Sequence, residues 1–249
     1  MAVLNPTTKA RNNDGQERGL RATPSRLRLV ELFGLPGCGK STLATELAVH
    51  LECLTRNDIS ARWAMLPIRK KGAHIARGLF DRRTAIAAIG FAISARLTST
   101  ESLFRLFRLV AKRDWVCRQQ GTVLLDQGFL QDIWSILYEA QPANIRTKAI
   151  SRLVSALYRD IDPSFLYLEL NSDTAATRIF NRSDGSSRLD QLPEEKIRIR
   201  LEKRNWISQQ IVLAAIASGL EPSVLTAADA SERVLDTALA RFKVQGVYP

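Results

Sequence analysis

The residues best equipped for chemistry are 34–41, G-L-P-G-C-G-K-S, which satisfy the spacing G-x-x-x-x-G-K-[ST] at every fixed position. Glycines at 34, 37 and 39 let the backbone curl so that successive N–H groups converge on phosphate oxygens. The N-terminus of a following helix adds the positive end of its dipole. Lys40 brings a mobile cation to the terminal phosphates, and Ser41 offers a hydroxyl that can ligate Mg2+. Such a loop has meaning only between a strand and a helix. Residues 27–33 (L-R-L-V-E-L-F) have strand character before it, and residues 42–54 have helical character after it. The expected ligand is a nucleoside triphosphate.

Bulk properties narrow the setting. A chain of 249 residues, 45% hydrophobic and 24% charged, can build one α/β domain with a substantial core. Its three cysteines, Cys38, Cys53 and Cys117, are odd in number and scattered without a C-x-x-C pair. That argues against a disulfide framework or a zinc site and fits a reducing, cytoplasmic setting. The longest apolar stretch, residues 85–95, is far short of the ~20 residues that span a bilayer. A net charge of +11 suits a phosphate-handling protein, and also a polyanion or an anionic membrane surface.

The elements that must position the loop follow in order. Residues 1–26 are polar, mildly basic and broken by glycine and proline, and are expected to be a disordered tail. A folded domain is expected over 27–249. Asn57 and Asp58 read as a turn and residues 59–66 as a second strand ended by Pro67. Residues 68–113 are helical in pattern and strongly basic. Within them L-F-R-L-F-R-L-V at 103–110 predicts either a core helix bordered by arginines or a membrane-surface or partner-binding helix. Thr122–Leu125 reads as a buried parallel strand that delivers Asp126 to its carboxyl end. Helices over 129–140 and 143–159 are separated by Pro142. A strand over 164–170 leads to a helix over 173–181 capped by Asn171, Ser172 or Asp173. Residues 182–192 read as a polar, lid-like loop. A long helix over 194–218, a short strand over 222–225 and a helix over 231–242 close the chain. Strand and helix alternate throughout. The fold expected is a three-layer doubly wound parallel sheet of about five strands.

Other phosphate-loop classes leave marks that are missing here. There is no N-K-x-D tetrad for guanine and no L-S-G-G-Q-like signature, and the chain is too short for an added helical lid domain. What remains resembles the thymidylate kinase and deoxynucleoside kinase group of phosphate-loop kinases, from about residue 27 to 242. The resemblance rests on G-L-P-G-C-G-K-S, on V-L-L-D ending at Asp126, on L-Y-L-E-L followed by D-T-A-A-T-R-I-F-N-R, and on the closing L-T-A-A-D-A-S-E-R-V-L-D-T-A-L.

The resemblance implies an ATP- and Mg2+-dependent phosphoryl transfer to a nucleoside or nucleotide, with roles assigned position by position. Gly34, Leu35, Pro36, Gly37, Cys38, Gly39, Lys40, Ser41 and Thr42 would hold the donor phosphates. Ser41 and Asp126 would serve the metal. Arg182 would flank the adenine, and Arg178 and Arg188 would reach the phosphates as the lid closes. Lys40, Asp126, Arg182 and Arg188 would carry catalysis. The departures fall on the acceptor side. Gln127-Gly128 stands where the group has an arginine, and no acid ends the second strand, where Arg62-Trp63-Ala64-Met65 is expected. Arg69, Lys70, His74, Arg77, Gln127 and Trp134 are candidate acceptor contacts. The expected partners are ATP and a small-molecule phosphate acceptor, with a second copy of the chain and a peripheral membrane contact left open and nucleic acid not expected. The competing reading is a nucleotide-binding ATPase with a regulatory or assembly role at a membrane or polyanion surface.

Overall fold

A computed structural model of the protein describes residues 27–138, 140–182, 189, 191–229 and 231–244. The expected 1–26 tail and most of the expected 182–192 loop, Arg188 included, lie outside them. Five parallel strands form one sheet in the order β2-β3-β1-β4-β5. β1 (Arg28–Gly34) runs through the centre, flanked by β3 (Thr122–Leu125) and β4 (Asp162–Glu169), with β2 (Leu54–Thr55) and β5 (Pro222–Thr226) at the edges. Arg28 lies level with Thr122 on one side and with Asp162 on the other. A central parallel strand is covered on both faces, so it needs apolar side chains pointing both ways. Leu29, Val30, Leu32 and Phe33 supply them and are fully buried.

Helices cover both faces. α1 (Lys40–Leu51), α8 (Ser172–Phe180) and α10 (Ser231–Val244) pack on one through Leu43, Leu47, Ile179 and Phe242. The other is covered by α4 (Arg82–Ser94), α5 (Thr100–Val116), α6 (Phe129–Leu137) and α7 (Thr147–Leu157), through Phe91, Leu109, Ile133 and Leu153. The long α9 (Glu194–Ala217) serves both: Ile197 and Leu201 join the first core, Ile207 and Ile211 the second. This is the three-layer doubly wound α/β architecture expected. Its crossovers bring every strand's carboxyl end to the same edge of the sheet.

The second strand is elsewhere than expected. It is the short β2, and residues 56–64 form α2 (Arg56–Ala64) instead of a strand over 59–66. The reason is local. Thr55 accepts a hydrogen bond from the Asp58 amide, and the Asp58 carboxylate accepts from the Thr55 amide at 2.8 Å. This reciprocal capping box starts a helix at Arg56 and overrides the strand-like alternation that follows. The basic stretch resolves into α3 (Ile68–Phe80), α4 and α5. The expected helix over 143–159 is split between a 3-10 turn, Pro142–Asn144, and α7. Of the three caps considered for α8, Asn171 is the one used, accepting from the Thr174 amide at 2.7 Å.

α5 is a core helix, with Leu106, Leu109 and Val110 buried. Gly78 of α3 is set against Val110, where any Cβ would crowd the Val110 carbonyl. Several of the basic side chains turn inward. Arg113 donates to the Leu157 and Arg159 carbonyls and pairs with Asp81 at 3.3 Å. Asp81 also accepts from Arg159 at 2.7 Å and from Thr84 at 2.7 Å. Desolvation alone would raise the Asp81 carboxyl, but these bonds outweigh it and hold the group at about 2.

Glu31 breaks the apolar pattern of β1. Its carboxylate is shut off from water, accepting from the Leu130 amide at 2.7 Å in the first turn of α6 and from the Tyr158 hydroxyl. Gly128 is buried against it, and a Cβ at that position would fall on the Glu31 carboxyl. Burial pushes the Glu31 carboxyl from 4.5 up to about 7, and the Tyr158 and Leu130 hydrogen bonds and the Lys112 charge offset this only in part. Between those values the folded state binds more protons than the unfolded one. Stability therefore falls as pH rises through the window, by roughly 3 kcal/mol in all. Glu31→Gln keeps an acceptor for Leu130 and removes the titration. Thermal unfolding from about pH 5 to about pH 8 should show wild type losing stability relative to Glu31→Gln as pH rises. A difference that stays constant across that range would contradict the assignment.

Candidate active site

The loop between β1 and α1 has the form its spacing predicts. Gly37 sits at φ 85°, where L side chains are strained, and a Cβ there would meet the Ala175 carbonyl of α8 at 2.7 Å. Among the described residues the amides of Gly37, Gly39, Lys40, Ser41 and Thr42 have no acceptor, whereas the Cys38 amide reaches the Leu35 carbonyl and the Leu43 amide the Gly39 carbonyl. Unpaired donors at a helix N-terminus make a binding site for an anion. Lys40 Nζ lies over the loop, donating to the Gly34 and Leu35 carbonyls at 2.9 Å each and weakly to Cys38 Sγ at 3.5 Å.

Ser41 and Asp126 meet. Ser41 Oγ donates to Asp126 Oδ2 at 2.8 Å, across 85 residues of sequence. Asp126 stands just past the end of β3 with its side chain only 14% exposed, and Arg56 Nη1 lies 3.8 Å from its Oδ1. One hydroxyl and one carboxylate on the rim of a phosphate loop fit Mg2+, a hard ion that usually takes one or two protein oxygens and completes its shell with water and substrate phosphates. Among the described residues no three His, Cys, Asp or Glu side chains gather to hold a metal alone.

A cavity of about 750 Å³ opens from the loop in two directions. On one side it is lined by Arg178, Arg182, Ala227, Asp229 and Val234. Arg178 is anchored there by one nitrogen, donating to the Ala227 carbonyl at 2.9 Å. On the other side the wall is made by Gln127 and by Gln131, Asp132, Trp134 and Ser135 of α6. Lys112 fixes this wall, donating to the Gln127 carbonyl at 2.6 Å and to Asp132 Oδ2 at 2.8 Å. Among the described residues, Gln131 Oε1 and Trp134 Nε1 are buried without a hydrogen-bond partner. Groups so placed cost ~1–3 kcal/mol each unless something pairs with them.

Of the acceptor-side candidates, Gln127 and Trp134 line the cavity and the others do not. Arg69, Lys70 and Arg77 are exposed on α3. His74 is buried between Trp63 and Trp115, with ring centroids 5.8 and 5.1 Å away, and its Nδ1 lies 2.9 Å from Asp114. Desolvation opposes ionisation of Asp114, but hydrogen bonds from Arg118 and His74 prevail and lower it. His74 is thus part of the packing among α2, α3 and α5. The end of the second strand carries Arg56 where Arg62-Trp63 was expected. Gln131 and Asp132 line the cavity, Lys112 braces its wall and Arg56 lies beside Asp126, without any motif marking them. The signal available was the helical spacing of 127, 131, 134 and 135 after the strand-end Asp126.

No protein-family model matches the chain, and no curated protein does. Solved structures do. Deoxyadenosine kinase from M. mycoides, solved with dCMP and a flexible dCDP, matches over 87% of this chain and 99% of its own at 16% identity, with a TM-score of 0.52. The same enzyme solved with dCTP matches at 16% identity over 87% and 99%, with a TM-score of 0.49. The likeness is one of fold, and it extends over nearly the whole described chain: a five-stranded parallel sheet with helices on both faces.

Lys40→Ala should leave cooperative thermal unfolding intact while weakening ATP binding at least tenfold by calorimetry, a loss of ~1.4 kcal/mol. Undiminished affinity would remove Lys40 from the site.

Proposed function

We propose that the protein is a kinase that transfers the γ-phosphoryl group of ATP to a nucleoside or nucleotide. The observation that carries this is the cavity itself. It joins a loop of unpaired amides and Lys40 to a second wall, that of α6, whose buried polar atoms lack partners. A protein that only hydrolysed ATP would have no use for that wall. The likeness of fold to a deoxyadenosine kinase supports the same reading.

In this reading the loop amides and Lys40 grip the β- and γ-phosphates, and Arg178 and Arg182 border the donor base. Ser41 and Asp126 would hold Mg2+, which when bound neutralises charge on the phosphates. Phosphoryl transfer asks mainly for alignment and for cations around the transferring group. The acceptor would lie against α6, where Gln131 and Trp134 line the cavity and carry a buried acceptor and a buried donor that would have to turn toward a base, and the Lys112–Asp132 pair keeps the wall rigid.

ADP production from ATP should depend on one or a few members of a nucleoside and nucleotide panel. Slow ATP loss independent of every acceptor would count against the kinase. Trp134→Phe keeps the ring and deletes the donor. It should raise the acceptor KM by about tenfold, equivalent to ~1.4 kcal/mol, and leave the ATP KM unchanged.

A second reading, an ATPase working at an anionic membrane, draws on a different surface. Ile86, Ile89 and Ile93 stand exposed on one face of α4, as do Phe104 and Phe107 of α5, with exposed Arg82, Arg83 and Arg108 on the same helices. No described helix is long and apolar enough to cross a membrane. If this surface docks on anionic lipid, the protein should sediment with anionic vesicles at low salt and be released as salt rises, since exposed charges are screened over ~10 Å at 0.1 M.

A further inference from the structure

We propose that Arg56 is a catalytic residue that stabilises the transferring phosphoryl group, taking the part that Gln127 is too neutral to play. The proposal rests on the phosphoryl-transfer reading above. β2 pairs with β3 in parallel, with Leu54 level with Val123 and Thr55 with Leu124. Arg56, the next residue, therefore comes level with Leu125, one step short of Asp126 and on the same edge of the sheet. The capping box at Thr55 turns the chain into α2 at that point and holds the Arg56 backbone at the rim. Its guanidinium reaches back to Asp126 at 3.8 Å, while Asp126 is held on its other oxygen by Ser41. Ser41, Asp126 and Arg56 thus form a row that starts at the phosphate loop.

Lys40, Arg178 and Lys112 already have partners, while Arg182 lines the cavity together with Arg178. Lys40 sits on the loop carbonyls, Arg178 donates to the Ala227 carbonyl, and Lys112 is bound to Asp132 and the Gln127 carbonyl. Arg56 is 42% exposed at the side chain, and its contact with Asp126 is long and made by a single nitrogen. An ion pair of that kind stabilises little by itself. Among the described residues it also leaves the other guanidinium nitrogens open to bind two oxygens of a phosphoryl group, a geometry for which arginine is suited and lysine is not. In the transfer, the acceptor oxygen bonds to the γ-phosphorus as the bond to the β,γ-bridging oxygen breaks. The bonding pair leaves on ADP, and a hydroxyl acceptor gives its proton to water. Arg56 would bind the equatorial oxygens, where charge gathers in the transition state.

The test is steady-state kinetics with ATP and the acceptor that wild type prefers, comparing wild type, Arg56→Ala and Arg56→Ala combined with Gln127→Arg. Arg56→Ala should lower kcat by roughly 100-fold or more while the ATP KM moves by less than about threefold. Adding Gln127→Arg should recover at least about tenfold of that loss, because it returns a guanidinium to the same rim from the adjacent strand. Arg56→Ala with kcat within threefold of wild type would overturn the proposal. A variant changed only in its Mg2+ requirement would do so too, since Arg56 would then merely neutralise Asp126. A wild type that makes no ADP with any acceptor would fail at an earlier step, overturning the kinase reading and this role together.

Discussion

Everything in the molecule depends on β1 being buried on both faces between two parallel neighbours. Parallel strands cannot be joined by tight turns, so each connection must cross over through helices and return to the same starting edge. The loop after β1, Asp126 after β3, Arg56 after β2 and Ala227 after β5 consequently collect on one side of the sheet. The 2.8 Å bond from Ser41 to Asp126 is the local expression of that constraint, closing 85 residues of chain onto one point.

Beneath the site lies a polar layer that the apolar core must tolerate. Glu31 can be buried because α6 begins directly over it, presenting the Leu130 amide, while Tyr158 closes the other side. Gly128 has no side chain to compete for the same space. The departure from the kinase pattern at Gln127-Gly128 has, in this light, a packing cause at its second position. A residue with a Cβ would collide with a carboxylate that α6 uses as an anchor. The same carboxylate, Lys112 and Asp132 connect the strand at the sheet's centre to the cavity wall.

The basic region over 68–113 divides once it is folded. Arg105 and Arg113 are consumed by backbone carbonyls and nearby carboxylates, and Lys112 by Gln127 and Asp132, whereas Arg69, Lys70, Arg77, Arg82 and Arg83 remain at the surface. Charge that can be paired is drawn into the helical layer, where low dielectric makes pairing obligatory. Charge that cannot be paired stays in water. His74 follows the same rule, since Asp114 and two tryptophans account for its burial.

The phosphate loop, the order of strands and helices, and Asp126 as a strand-end acid were all legible from local pattern. Each depends on short-range physics: glycine at positive φ, apolar runs that only a buried strand can use, and helix periods of three to four residues. The second strand was misread because a capping box of two side chains outweighs several residues of strand propensity. The α6 wall, the Lys112–Asp132 pair, Glu31 against Gly128 and Arg56 beside Asp126 were not legible at all. These contacts join residues 20 to 99 positions apart, and nothing in the residue types themselves says which will face one another. The loop 34–41 thus determined by itself that a phosphate would be held. Which side chains stand on the opposite wall, and that Arg56 comes to stand beside Asp126, was decided only when parallel packing brought the strand ends to one edge.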